Sequence, residues 1–183
     1  MTNFHPDLEL ITEYAAGSLS LAQGACVSIH VNQCRRCQRI AGQLTDLGAS
    51  LFEALEPAPV GDAQLNAVLA RLDDEKPLEY AHSKSSASST PAILQRLMRG
   101  DFSDLNWRNI GSALRISYLK TGDPDHEFAL YHIRAGGRIP EHTHRGTEMT
   151  LILEGGFSDA NGSYHKGDFL IRRPGDVHAP TAL

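Results

Sequence analysis

The stretch HVNQCRRCQR, residues 30–39, decides how the N-terminal part of the chain folds, because its histidine and two cysteines stand at His-x3-Cys-x2-Cys spacing. On one straight helix, His30, Cys34 and Cys37 would share a face, but seven residues of helix rise about 10.5 Å. Zinc ligands lie only about 2.0–2.3 Å from the ion. A shared zinc ion therefore requires a bend in the chain. We expect Asn32 to lie in that bend, with His30 closing one helix and both cysteines opening the next.

A tetrahedral zinc site needs a fourth ligand, and two side chains can supply it. His5 precedes the first predicted helix and is free to fold onto the bend, so it is the preferred candidate. Cys26 lies one turn before His30 and is the alternative. The Cys-x2-Cys spacing also occurs in thioredoxin-like redox pairs, but those belong to a βαβ pattern that this sequence lacks. The residues therefore favour zinc over a redox pair or two unrelated helix cysteines.

The formal charge of −5 lies in the N-terminal part of the chain. Residues 1–76 hold five basic and ten acidic groups, whereas residues 77–183 hold twelve of each. Domains that grip nucleic acid are usually basic, because phosphate contacts supply most of the affinity. We therefore expect no direct nucleic-acid binding, which argues against a zinc DNA-binding module. An acidic first domain suits a basic protein partner instead.

The cellular compartment is predicted from features that the sequence lacks. Three cysteines are too few for the disulfide framework of a secreted protein. The start of the chain has neither the basic segment nor the apolar segment of a signal peptide. No apolar run approaches the roughly 20 residues that span a bilayer. We expect a cytoplasmic protein that does not contact the membrane.

Hydrophobic periodicity divides the chain into two parts joined by a linker. Residues 1–76 show four helical patterns: the first ends at Gly17, the second is capped by Ser20 and the fourth by Asp62. The third pattern carries an apolar stripe made of Ile40, Leu44, Leu47, Leu51 and Leu55. Residues 77–91, which include the Ser-rich stretch AHSKSSASSTP, read as a flexible linker.

The pattern changes in residues 92–183. One short helix near residues 93–98 is followed by segments with period-two alternation, separated by Gly and Asp turns. These segments are ALRISYLK, EFALYHIRA, EMTLILEG and DFLIRRPG. The sequence therefore predicts an α+β multidomain fold, in which a small all-α zinc-binding domain precedes an all-β antiparallel sandwich or barrel.

A second set of metal-ligand residues lies in this β-rich part. In GGRIPEHTHRGTEMTLILEG, His142 and His144 alternate by two, so on a strand both side chains point to the same face. Glu148 follows after a short turn, and His178 lies further downstream. Three imidazoles and a carboxylate suit Zn, Fe, Mn, Ni or Cu.

This second set, with its flanking glycines, is similar to the two motifs of the cupin superfamily. The resemblance implies a double-stranded β-helix barrel that holds a metal through His142, His144, Glu148 and His178. Two features depart from the family pattern: Pro174 and Gly175 are adjacent, and Ala182 stands where asparagine is frequent. The sequence also stops soon after its fourth ligand. We expect a truncated or incomplete barrel, whose open edge would favour self-association.

The first set resembles the zinc-binding anti-sigma domain, in which an N-terminal histidine and a segment like YAAGSL precede the His-x3-Cys-x2-Cys motif. Such a domain followed by a cupin resembles the ChrR family of anti-sigma factors. That resemblance implies zinc bound by His5, His30, Cys34 and Cys37, and inhibition of an extracytoplasmic-function sigma factor as the partner. It implies binding rather than enzymatic turnover.

The resemblance further implies that the cupin senses an oxidative signal of the singlet-oxygen type. One hypothesis is that the signal damages or removes the cupin metal and is passed through the linker. The rival trigger is oxidation of Cys34 and Cys37 with ejection of zinc. An alternative function from another class is a metal-dependent cupin dioxygenase with a regulatory zinc domain.

Overall fold

The computed structural model describes residues 2–72 and 90–183. Five α-helices come first in chain order: α1 Leu8–Ala16, α2 Leu21–Gln33, α3 Arg35–Glu53, α4 Asp62–Leu72 and α5 Ala92–Met98. A short 3-10 helix, Phe102–Asp104, leads into the strands. The strands are β1 Arg108–Ile110, β2 Leu114–Leu119, β3 Phe128–Ile133, β4 Glu148–Leu151, β5 Gly156–Asp159, β6 Gly162–His165, β7 Phe169–Arg172 and β8 Thr181–Ala182. The predicted order of helices followed by strands, and with it the α+β class, is confirmed.

Local capping chemistry fixes the ends of the first two helices. The Asp7 side chain accepts a hydrogen bond from the Leu10 N–H at the start of α1. Gly17 ends α1 in the left-handed conformation with φ of 69°, which glycine adopts without steric cost. Ser20 and Gln23 form a reciprocal capping box at the start of α2. The boundaries predicted at Gly17 and Ser20 are therefore confirmed.

The break between α2 and α3 lies two residues later than predicted. Asn32 is inside α2, and the chain turns instead at Cys34, whose extended backbone (φ −108°, ψ 105°) makes it the last cap of α2 and the first of α3. The Cys34 N–H still donates to the His30 carbonyl at 2.8 Å, so helical hydrogen bonding continues past His30. The bend exists because the single residue Cys34 leaves the helical region.

Two other details of the helices differ from the predictions. Asp62 is the first residue of α4 rather than its cap, and the Gly61 N–H donates to the Gln64 side chain at 2.7 Å. The stripe on α3 is only half covered: Ile40 and Leu44 pack against the core, whereas the residues towards the C-terminus of α3 are exposed. Those exposed residues are Leu47 and Leu51 of α3, followed by Leu55 just beyond its end at Glu53.

The described strands form three small antiparallel sheets with the orders β1-β2-β3, β4-β7 and β6-β5-β8. The four strands predicted from alternation correspond to β2, β3, β4 and β7. The β5–β6 hairpin was not predicted, because its sequence GFSDANGSYH is rich in Gly, Ser and Asp rather than in β-branched residues. Its Asn-Gly pair was the available turn signal. Closure of these sheets into a barrel stays a prediction.

The core joins the helices to the strands. Its largest cluster contains buried residues of α1, α2 and α3 together with Phe169 of β7, which is 1% exposed. A second cluster places Ile29 of α2 against Leu94 of α5 and Leu119 and Leu130 of the first sheet. α2 therefore contributes buried residues to both clusters. Most of the predicted linker, residues 77–89, lies outside the described residues.

Within residues 2–72 and 90–183, no helix has both the length and the apolar character needed to cross a membrane.

We expect Phe169→Ala to lower the free energy of unfolding by about 3–5 kcal/mol, because it removes the one ring that β7 contributes to the helical core. Urea denaturation of the metal-loaded protein measures this change. Phe52→Ala is the matched control, since Phe52 is 75% exposed and its loss should change stability by less than about 0.5 kcal/mol. Equal effects of the two substitutions would show that the helices and strands do not share a core.

Candidate metal centres

The bend at Cys34 brings the four residues of the first predicted set together. One donor atom from each of them lies within 4.8 Å of every other. The four residues are His5 before α1, His30 near the end of α2, Cys34 at the bend and Cys37 in the first turn of α3. Cys26, the alternative fourth ligand, does not belong to this cluster. It is buried in the core, where burial raises the pKa of its thiol to about 12.

Three distances inside this zinc-type cluster, all measured from His5 Nδ1, match the edges of a tetrahedron. His5 Nδ1 lies 3.3 Å from His30 Nε2, 3.4 Å from Cys34 Sγ and 3.5 Å from Cys37 Sγ. A zinc ion with ordinary bond lengths would set nitrogen–nitrogen edges at about 3.3 Å and nitrogen–sulfur edges at about 3.5 Å. Two thiols and two imidazoles in this geometry fit a closed structural zinc site.

The surroundings shift the pKa values of the two thiols in opposite directions. Burial opposes ionisation of Cys34, but hydrogen bonds from the backbone N–H groups of Cys37 and Arg36 and from the Thr2 hydroxyl hold its pKa below the usual value. Burial and the neighbouring Cys34 raise the pKa of Cys37 to about 12. A cation at the centre would lower the pKa of both thiols.

Both imidazoles of this cluster are kept neutral. Burial, joined by the positive charge of Arg36, lowers the pKa of His5. Burial also lowers the pKa of His30, which is fully enclosed with 0% exposure. A neutral ring has a lone pair available for a metal, so each histidine can act as a ligand near neutral pH.

Sequence reasoning missed the residues that lie behind this cluster. His30 Nδ1 is 2.8 Å from the Gly167 carbonyl oxygen, and the Asp168 side chain accepts from the backbone of Asn3 and Phe4. Gly167 lies 137 positions after His30 along the chain, and Asp168 follows it. No local sequence pattern could therefore connect them with His30. Their only sequence signal was the Gly-Asp turn before β7.

The second predicted set also comes together, at the edge of the β-rich part. His142, His144 and His178 place one ring nitrogen each within 4.8 Å of the others. The backbones of His142 and His178 form an antiparallel bridge with hydrogen bonds of 3.0 and 3.1 Å. Glu148 lies beside this three-histidine cluster: its Oε2 is 3.4 Å from His144 Nε2 and 3.8 Å from His178 Nε2.

The orientation of these rings leaves nitrogens free to converge. His142 Nδ1 is 2.8 Å from the Pro140 carbonyl, so its Nε2 is the remaining donor. His144 Nε2 and His178 Nε2 are 3.1 Å apart. Burial lowers the pKa of His178, with further contributions from His142 and Arg172. The side chains of His144 and Glu148 are 25% and 28% exposed, so this cluster is more open than the first.

Comparison with known proteins relates this chain to sequences and structures as follows. Residues 95–183 match the family model described as the ChrR cupin-like domain. The anti-sigma-E factor ChrR of Cereibacter sphaeroides is 34% identical over 180 residues, which cover 97% of this chain and 83% of that protein. A crystal structure of Rhodobacter sphaeroides SigE in complex with the anti-sigma ChrR matches with a TM-score of 0.85 and 33% identity, over 100% of this chain and 93% of that chain.

An RmlC-like cupin protein from Ralstonia eutropha matches less well, with a TM-score of 0.39 and 23% identity over 44% of this chain and 55% of that chain. The similarity to ChrR extends through both the helical and the β-rich parts, at about one-third sequence identity. This chain belongs to the ChrR family.

Proposed function

We propose that this protein is an anti-sigma factor, which binds an extracytoplasmic-function sigma factor through its N-terminal helices and holds it inactive. Its role is regulation by binding, in the cytoplasm where sigma factors meet RNA polymerase. The observation that carries the proposal is the large apolar surface on α4 and on the C-terminal half of α3, together with membership in the ChrR family.

α4 has the pattern of a helix that needs a partner. In the described part of the chain it buries none of its residues. Four apolar side chains recur at the spacing that places them on one face. They are Leu65, Val68, Leu69 and Leu72, with exposed fractions between 49% and 68%. A helix with such a face is stable when another molecule covers it.

The second half of α3 and the residues just after it also expose apolar side chains. Leu47, Leu51 and Phe52 of α3 and Leu55, which lies beyond its end, are each more than half exposed, although the same helix packs into the core further upstream. The first 76 residues carry a net charge of −5, which would attract a partner with basic groups around an apolar groove. The proposed sigma factor would bind across the exposed faces of α3 and α4.

The zinc-type cluster has a structural role in this proposal. Zinc bound by His5, His30, Cys34 and Cys37 would tie the segment before α1 to α2 and α3. Such a closed four-ligand site contributes folding free energy and leaves no position for a substrate. Zinc would therefore fix the start of α3, from which the apolar surface projects.

The three-histidine cluster has the sensing role. With Glu148 beside His142, His144 and His178, it suits Zn, Fe, Mn or Ni in a cupin barrel. Its ligands are partly exposed, so small oxidants of the singlet-oxygen type would reach it directly. Damage to these ligands or loss of the metal is the proposed signal that ends sigma-factor binding.

We expect Leu69→Asp to weaken binding of the protein's cognate extracytoplasmic-function sigma factor by at least about tenfold, or about 1.4 kcal/mol, because it places a charge in the proposed interface. Isothermal titration calorimetry measures the affinity. Leu8→Asp, at a 64% exposed leucine of α1, is the matched control and should bind normally. Undiminished binding by Leu69→Asp would exclude α4 from the interface.

The fourth zinc ligand is tested by comparing His5→Ala with Cys26→Ala. Cobalt(II) in place of zinc gives a thiolate-to-metal absorption only at the cysteine-bearing cluster. We expect His5→Ala to weaken cobalt binding there by at least about tenfold and Cys26→Ala to leave it unchanged, because Cys26 lies outside the cluster. If only Cys26→Ala weakened cobalt binding, Cys26 would be the fourth ligand in place of His5.

If the three-histidine cluster is the sensor, its loss should abolish the response to oxidant without weakening sigma-factor binding. Alanine at His142, His144, Glu148 and His178 together should leave sigma-factor affinity within about threefold, because the proposed interface lies on α3 and α4. The variant should no longer release the sigma factor when a photosensitiser generates singlet oxygen. Release at the native rate from this folded variant would place the sensor elsewhere, with oxidation of Cys34 and Cys37 as the remaining route.

A further inference from the structure

We propose that the turn between β6 and β7, residues 166–168, orients ligands of the zinc site. Asp168 is the positioning residue that holds His5 in place. The inference rests on the proposed zinc site and adds that two of its four ligands are oriented by the β-rich part. The two parts of the protein would then communicate by direct contact at this turn.

The first contact orients His30. A carbonyl oxygen can only accept a hydrogen bond, so the Gly167 carbonyl at 2.8 Å places the ring hydrogen of His30 on Nδ1. That leaves the lone pair on Nε2, the atom that faces His5 Nδ1 at 3.3 Å. Hydrogen bonds of this kind to the second nitrogen of a ligand fix its tautomer and ring orientation.

Gly167 is suited to this close approach. Its φ of 91° is a conformation that side chains disfavour, and a Cβ there would lie 2.6 Å from the Thr2 methyl group. The turn and the N-terminal arm, defined as residues 2–5, therefore fit together only because position 167 has no side chain.

The second contact holds the N-terminal arm. Asp168 is 1% exposed, and its Oδ1 accepts from the Asn3 N–H at 2.7 Å and from the Phe4 N–H at 3.2 Å. Its Oδ2 accepts from the His165 N–H at 2.8 Å. The Phe169 N–H donates to the Phe4 carbonyl at 3.0 Å, so the arm is bound along its backbone on both sides.

The arm matters because it carries His5. Terminal residues are poorly ordered unless they are tied down, and ordering one residue costs about 1–2 kcal/mol in conformational entropy. The ring of Phe4 packs edge-on against Tyr164 of β6 at 4.9 Å, which adds an apolar contact. Asp168 therefore pre-orders the segment that delivers the fourth ligand, and zinc affinity depends on contacts made by the β-rich part.

The test measures metal release from the cysteine-bearing cluster of the full-length protein. The protein is loaded with cobalt(II), and the decay of the thiolate-to-cobalt absorption is followed after adding EDTA. We expect Asp168→Ala, which removes the acceptor of the Asn3 and Phe4 N–H groups, to accelerate release by about 10–100-fold, the usual effect of losing a contact behind a metal ligand. Asp104→Ala is the control, because that exposed carboxylate also accepts a backbone N–H, at 2.9 Å, from Asp101.

A second pair of variants keeps the test decisive if Asp168→Ala fails to fold. Asn3→Pro removes the N–H that donates to Asp168, whereas Asn3→Ala keeps it. Asn3 is exposed, so neither change disturbs the core. Faster release from Asn3→Pro, with native release from Asn3→Ala and an unchanged melting temperature, is the expected result.

Two outcomes would overturn the inference. One refutes only the role of the turn, and the other also refutes the proposed zinc site. Native release rates from folded Asp168→Ala, or from Asn3→Pro, would refute the role of the turn while the zinc site itself remained. Absence of any thiolate-to-cobalt absorption in the unaltered protein would refute the proposed zinc site, and the role of the turn with it.

Discussion

Most of this structure depends on the placement of one enclosed imidazole. His30 has no exposed surface, and its two nitrogens face different parts of the protein. Nδ1 meets the Gly167 carbonyl of the β-rich part, and Nε2 faces the donors of His5, Cys34 and Cys37. A buried polar ring must satisfy both nitrogens, so α2 is fixed in position and rotation. The bend at Cys34 then brings the thiols of Cys34 and Cys37 close to His30.

The two metal-type clusters differ in ways that agree with different roles. The first combines two thiols with two imidazoles, and three of its four residues are buried. The second combines three imidazoles beside a carboxylate, and two of its residues are partly exposed. A closed site with soft ligands resists exchange and stabilises a fold, whereas an open site reacts with small molecules. In the proposed function, the first cluster therefore supports the fold and the second one responds to the signal.

Packed contacts connect the two clusters. Glu148 of β4 pairs in register with Arg172 of β7. The Arg172 guanidinium donates to Asp159 at 2.5 Å and to the Tyr164 hydroxyl at 3.1 Å, and the Tyr164 ring touches Phe4. Phe4 is the neighbour of His5. The helices and the strands therefore meet through a continuous interior, which explains why one hydrophobic cluster contains residues of both.

The sequence by itself determined the helix limits at Gly17 and Ser20, the need for a bend after His30, four of the strands, and both sets of metal-type residues. These features are local: caps, periodicity and ligand spacing act over a few residues. Tertiary structure alone decided that Cys34 forms the bend, that Leu51 stays outside the core, and that Gly167 and Asp168 lie behind the zinc-type cluster. The contacts of Gly167 and Asp168 join positions more than a hundred residues apart. Only the packing of α2 against the strands brings these positions together.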